Sequence, residues 1–124
     1  MVDHRSALEW IAAYEGAWRT PGVGALAGVF TPDVTYTPSP WAEPLHGLDS
    51  LGRFWESARE GSDEPFRMIS EIVAVDDPTA VIRIDVDYGD GERWRDLWIV
   101  TFDPDGRCRT FEEWPFAPDQ PDGH

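Results

Sequence analysis

AVIRIDVDYGDGERWRDLWIVTF, running from Ala80 to Phe102, reads as a β-hairpin whose register decides the rest of the fold. Ile82, Ile84, Val86 and Tyr88 alternate with Arg83, Asp85 and Asp87. Beyond Gly89-Asp90-Gly91, Trp94, Asp96, Trp98, Val100 and Phe102 alternate with Arg93, Arg95, Leu97 and Ile99. Such period-two patterning marks strands with one buried face. A three-residue loop over Gly89 to Gly91 sets Asp87 opposite Arg93 and Asp85 opposite Arg95, each pair contributing about 0.2–1 kcal/mol. A two-residue loop would oppose Asp85 to Asp96, which is repulsive, so the three-residue register is expected.

That register puts Asp96 on the face shared by Ile82, Ile84, Val86, Trp94, Trp98 and Val100. A carboxylate among such neighbours must be paired, hydrated or protonated. The next turn, Asp103-Pro104-Asp105-Gly106, suits a type I turn with Gly106 left-handed, a bulged loop of three. It pairs Trp98 with Glu112 and Asp96 with Trp114, leaving Glu112 and Asp96 as diagonal neighbours roughly 7–8 Å apart. A one-residue slip would present Glu113 instead. Two acids so close in an apolar lining have split pKa values, a common device for proton transfer.

Outward from the hairpin, Phe66 to Val75 and Arg107 to Trp114 complete a four-strand antiparallel meander, with Asp76-Asp77-Pro78 as its first turn. The N-terminal half is helical. Ser6 to Arg19 carries Leu8, Ile11, Tyr14 or Glu15, and Trp18 at helical spacing, with Trp10 and Tyr14 as a second stripe. Ser6 and Glu9 suggest a capping box. Val23 to Phe30 reads as a second helix, broken by Thr31-Pro32-Asp33, and Val34 to Thr37 as one short strand. Pro38, Pro40 and Pro44 make an irregular loop carrying Trp41 and His46. Leu48 to Arg59 is a third helix. Three helices followed by strands give an α+β domain over residues 1–116, with a polar tail from Ala117 to His124.

The hydrophobic fraction, 41%, suffices for a real core, so this is not a disordered acidic chain. A formal net charge of -14 disfavours nucleic acid and anionic membranes as partners. No apolar run is long enough to span a membrane, and Met1 to Arg5 lacks a signal-peptide pattern, so a cytoplasmic protein is expected. Cys108 is the single cysteine, and a buried, inert thiol is its default. All ten basic residues are Arg, with no Lys or Asn, as in GC-rich bacterial genomes. No Cys or His pair has ligand spacing, and Asp85, Asp87 and Asp90 lack the loop length and Glu of a calcium site, so no metal is expected. Gly22 and Gly24 follow no strand, and no Gly-x-Ser-x-Gly elbow occurs, so no cofactor is expected.

Seven tryptophans, Trp10, Trp18, Trp41, Trp55, Trp94, Trp98 and Trp114, suit the wall of a cavity as well as a close-packed core. His46 is the only histidine away from the termini, and could act as a pocket base near neutral pH.

The chain resembles the cone-shaped fold of nuclear transport factor two, ketosteroid isomerase and the SnoaL-like polyketide cyclases. The resemblance rests on Tyr14-Glu15-Gly16-Ala17-Trp18, Ala25 through Tyr36, His46-Gly47-Leu48-Asp49-Ser50-Leu51-Gly52-Arg53-Phe54-Trp55, Phe102 through Arg107, and Phe111-Glu112-Glu113-Trp114, within residues 6–116. It implies three helices packed on a curved antiparallel sheet around a conical pocket for a small hydrophobic molecule. Tyr14 matches the ketosteroid isomerase tyrosine that helps form an oxyanion hole. The general-base aspartate of that enzyme would fall near Thr37 or Pro38, which cannot serve, and its second acid falls at Trp98. Steroid isomerisation is therefore not expected. SnoaL-like cyclases use a His and an Asp, for which His46, Asp96 and Glu112 are candidates.

Two functions fit. One is a cofactor-free acid–base isomerase, cyclase, dehydratase or hydrolase, or simply a binding pocket, walled by Trp18, Trp41, Trp55, Trp94, Trp98 and Trp114. The other is a non-catalytic sensing or interaction module with a filled cone. Either is expected as a homodimer through the outer sheet face around Leu97 and Ile99.

Overall fold

The N-terminal helix, α1 (His4–Arg19), is capped by Asp3. The Ser6 amide donates to Asp3 Oδ1 at 2.9 Å and the Asp3 amide to Ser6 Oγ at 2.9 Å. The capping box therefore sits one turn earlier than the Ser6–Glu9 pairing suggests, and Glu9 pairs with Arg5 instead. The buried stripe is Ala7, Trp10, Ile11, Tyr14 and Ala17, which leaves Leu8 exposed. Two large rings at i and i+4 turn the helix so that they, not Leu8, face the core.

This computed structural model describes residues 1–59, 64–89 and 91–120. After α1 come α2 (Leu26–Val29), β1 (Phe30–Thr37), β2 (Leu45–His46), α3 (Gly47–Ala58), β3 (Arg67–Asp76), β4 (Thr79–Asp87), β5 (Arg93–Phe102) and β6 (Cys108–Phe116). The strands form one sheet in the order β2-β1-β6-β5-β4-β3. Beyond β6, the described tail turns through a bond from the Gln120 amide to the Ala117 carbonyl; positions 121–124, His124 included, lie outside the described residues.

Two features depart from the sequence expectation. The second helix is a single turn, and β1 starts at Phe30 rather than Val34. Helical periodicity in Val23–Phe30 yields to long-range pairing, because Phe30 aligns with Cys108 of β6. The sheet is also mixed: β1 runs parallel to β6, while every other pairing is antiparallel. Pro32 cannot donate to a ladder, and the β1–β6 register shifts across it between Phe30 and Thr35.

The β4–β5 hairpin has the expected register, with Asp85 opposite Arg95 and Asp87 opposite Arg93. Arg95 Nε lies 3.2 Å from Asp85, and Arg93 Nε 3.9 Å from Asp87. The Tyr88 amide donates to the Glu92 carbonyl, leaving residues 89–91 as the loop, of which Asp90 lies outside the described residues.

The β5–β6 hairpin begins in the expected register and then leaves it. Gly106 is left-handed (φ 93) and Phe102 pairs with Cys108. One step later Thr101 pairs with Thr110, so Arg109 is an extra, bulged residue. Every pairing beyond it shifts by one: Trp98 faces Glu113 and Asp96 faces Pro115. This corrects the expectation for Glu112 and Trp114, which turn to the outer face opposite Ile99 and Leu97.

The inner sheet face and the helices enclose an aromatic core. Trp10 donates Nε1–H to the Val29 carbonyl at 3.0 Å, Tyr14 and Trp98 approach to 4.4 Å between centroids, and Tyr36 stacks on Phe111 at 4.5 Å. Cys108 is fully buried, and burial pushes its thiol pKa far up, so it is chemically quiet.

Candidate active site

The cone is not filled. A cavity of about 350 Å³ opens between the helices and the half of the sheet that ends at the Tyr88–Glu92 turn. Helix α1 contributes Tyr14 and Trp18, β1 Tyr36, and α3 Phe54 and Ala58. The sheet side is Met68, Val86, Trp94, Asp96, Trp98, Glu113 and Pro115, with Phe66, Tyr88 and Glu92 at the strand ends. A second hollow of about 470 Å³ lies at the opposite end, around Met1, Val2, Asp77 and the Asp103–Gly106 turn. Its charged residues are exposed or half-buried, so it lacks the acids that make the first site distinctive.

Strand alternation aims Asp96 into the cavity, since Trp98 and Val100 on the same face are buried core residues. Glu113, opposite Trp98, is its diagonal neighbour on that face. Asp96 is only 8% exposed, and neither its Oδ1 nor Trp98 Nε1 has a hydrogen-bond partner. Burial lifts the Asp96 carboxyl above the usual range, while the nearby Glu113 and Trp98 pull it back. Glu113 is lifted further, well above an ordinary glutamate. Burial is the main cause, and the Asp96 carboxyl adds both a shared proton and like charge; Trp98 and Tyr36 oppose it. The pair therefore holds a proton where a solvated carboxyl would have lost it.

Two phenols border the acids. Burial pushes both Tyr14 and Tyr36 well above the ordinary phenol range, so both stay protonated, and each is close enough to affect the other by hydrogen bonding. At the rim Tyr88 is pushed up to about 12, first by burial and then by Glu64 and Glu92.

Tyr14, Trp18, Trp94, Trp98 and Asp96 thus meet at one cavity. The other candidates lie elsewhere. His46 is exposed on β2, with Nδ1 3.4 Å from Thr35 Oγ1. Strand pairing in what reads as an irregular loop holds it at the sheet edge. Glu112 accepts from Trp114 Nε1 at 3.1 Å on the outer face. Trp41 is 99% exposed, and Trp55 is wholly buried against Trp18. The sequence reading does not single out Tyr36. Its signal is the alternation of Val34 and Tyr36, which lies within the strand expected over Val34 to Thr37. No group of His, Cys, Asp and Glu that could hold a metal occurs among the described residues.

The pattern of the SnoaL-like domain matches residues 10–111. The chain belongs to the SnoaL-like family. Among curated proteins none matches it. Solved structures share the SnoaL-like cone at low identity. A steroid delta-isomerase from Pseudomonas aeruginosa is 18% identical over 95% of this chain and 84% of its own, with a TM-score of 0.67. An NTF-2 like protein of unknown function from Burkholderia xenovorans LB400 is 16% identical over 92% and 85%, with a TM-score of 0.71. SalBIII, described as an epoxide hydrolase/cyclase-like enzyme of pyran ring formation in polyether salinomycin, is 15% identical over 94% and 95%, with a TM-score of 0.72. These likenesses establish the architecture. No helix among the described residues is long and apolar enough to cross a membrane.

Proposed function

We propose that this SnoaL-like domain takes a small hydrophobic molecule into the cone and performs cofactor-free acid–base chemistry on it, of the isomerase, cyclase or dehydratase kind. One observation carries this reading: two carboxyls, both raised by burial, share the aromatic wall of an open cavity. Asp96, the less perturbed, is the base. Glu113, lifted further, is the acid that returns the proton. Tyr14, backed by Tyr36, donates a hydrogen bond to oxygen as it gains negative charge. The rings of Trp18, Trp94 and Trp98 exclude water and stack on the substrate.

Asp96→Asn tests the assignment. Its neutral amide keeps the shape, so we expect ligand affinity or turnover to change more than melting temperature. A large loss of melting temperature with unchanged binding, followed by tryptophan fluorescence during titration with hydrophobic metabolites, would refute the pocket role. We further propose a homodimer through the outer sheet face, where Trp114 and Phe116 are 38% and 40% exposed beside half-buried Leu97 and Ile99. A monomer in sedimentation equilibrium at micromolar concentration would overturn that assembly.

A further inference from the structure

The ionisable side chains on the cavity wall are Tyr14, Tyr36, Tyr88, Glu92, Asp96 and Glu113. Among the described residues no Arg or His lines it, although the chain carries ten Arg. An anionic ligand would thus enter an apolar hollow beside like charges with no counter-ion, at a large desolvation cost. A neutral ligand avoids that cost but leaves the buried carboxylate charge uncompensated. A cation compensates it. Asp96 and Glu113 both line the cavity, and among the described residues neither has an Arg or His partner, so the one negative charge the pair keeps is what an N–H of a protonated amine would meet. The rest of the wall suits the same charge. Trp18, Trp94, Phe66 and Tyr88 are π-faces that attract ammonium groups. One of these rings already carries a cation: the Arg19 guanidinium lies 3.7 Å from the Phe66 centroid. Arg19 is itself engaged by Glu15 and by the Phe66 carbonyl, so it does not neutralise the acids.

We propose that the cavity takes a hydrophobic organic cation, a protonated amine on an apolar body, with its N–H donated to Asp96 and its charge set among the aromatic rings. The inference rests on the reading that this cavity is the ligand site, and it adds the ligand's chemical class. Its size agrees with a one- or two-ring body: a cavity of roughly 150 Å³ already admits benzene, and this one is about 350 Å³.

Three probes of nearly one shape, differing in charge, test it by isothermal titration calorimetry near neutral pH: 2-phenylethylamine, 2-phenylethanol and 3-phenylpropanoate. We expect the amine to bind at least about tenfold more tightly than the alcohol, and the carboxylate more weakly than both. In Asp96→Asn, the amine should lose that advantage while the alcohol keeps its affinity within about twofold. Glu113→Gln, which replaces an acid that already holds its proton, should leave most of the amine's advantage over the alcohol in place. An alcohol that binds the wild-type protein as tightly as the amine overturns the cation proposal and leaves the cavity as a ligand site. Silence from all three probes, with unchanged tryptophan fluorescence, overturns both.

Discussion

Arg59 ties the end of α3 to the end of α1, and its loss should be costly. Its guanidinium, 8% exposed, donates to the carbonyls of Ala17 (3.4 Å), Trp18 (3.0 Å), Thr20 (2.8 Å) and Gly22 (3.0 Å), and pairs with Glu56. Those carbonyls belong to the C-terminal end of α1 and the chain just beyond it, and of them Ala17 also accepts the Thr20 amide at 3.2 Å. In Arg59→Ala, Thr20 and Gly22 lie in exposed chain and regain water, and Ala17 keeps the Thr20 amide, which leaves the half-buried Trp18 carbonyl without a replacement. Hydrogen bonds from a charged donor contribute about 1.5–3 kcal/mol each, so the one unreplaced bond, at Trp18, gives a loss of about 2 kcal/mol. With an unfolding entropy of about 2.1 cal/mol/K per residue, the 124 residues supply about 0.26 kcal/mol/K, and the melting temperature should fall by about 8 °C. Arg59→Lys should recover less than half, since a single ammonium cannot span four acceptors. Because Trp18 and Ala58 line the cavity, ligand affinity should fall as well. Thermal unfolding by circular dichroism checks the stability. A fall below about 3 °C for Arg59→Ala, or full rescue by Lys, would show that the carbonyls are solvated rather than held.

The acid pair sets the sign of a pH effect. Both carboxyls have raised folded pKa values, so the native state keeps their protons longer than the unfolded chain does. Their contribution is complete below the ordinary carboxyl range near pH 4 and is lost as pH rises through the raised values. Glu113→Gln should therefore gain melting temperature relative to wild type as pH goes from about 4 to about 8, and a flat difference would contradict the raised values. Asp3 and Asp105, held low by Ser6 and Arg107, act oppositely but cancel in that difference. The bulge at Arg109 makes a separate, sharper test. Glu113→Gln should alter ligand binding, whereas Glu112→Gln and His46→Ala should leave it unchanged; the reverse pattern between the two glutamates would mean that the ladder carries no bulge.

Charge matching makes the inner face of the β4–β5 hairpin legible from the sequence alone. Asp85, Asp87, Arg93 and Arg95 leave one register without repulsion, and Asp96 follows onto the core face. The third helix and the meander were equally readable, because their signals are local. What escaped was non-local or off-pattern. Phe30 belongs to a helix by spacing and to a strand by its partner Cys108. Arg107-Cys108-Arg109-Thr110 carries no glycine or other mark of a bulge, yet the extra residue at Arg109 exchanges Glu112 for Glu113. Composition could not sort the tryptophans either. Trp41 stands in solvent and Trp114 faces outward, while Trp18, Trp94 and Trp98 line the cavity.

Unpartnered buried polar atoms do not by themselves mark a site, and this chain supplies its own control. Thr31 Oγ1 and Trp55 Nε1 are buried without partners and touch no cavity wall, so each is simply a local cost. Asp96 Oδ1 and Trp98 Nε1 share that condition, but they do so together, on one strand, at an open hollow beside a second carboxyl. Apolar residues of similar volume would remove the desolvation cost of the two buried carboxyls and stabilise the fold. A sequence that elsewhere packs Ile82, Ile84, Val100 and Phe111 to near-complete burial has every means to do so. Two acids at positions where packing would favour leucine are the feature on which the proposed function rests.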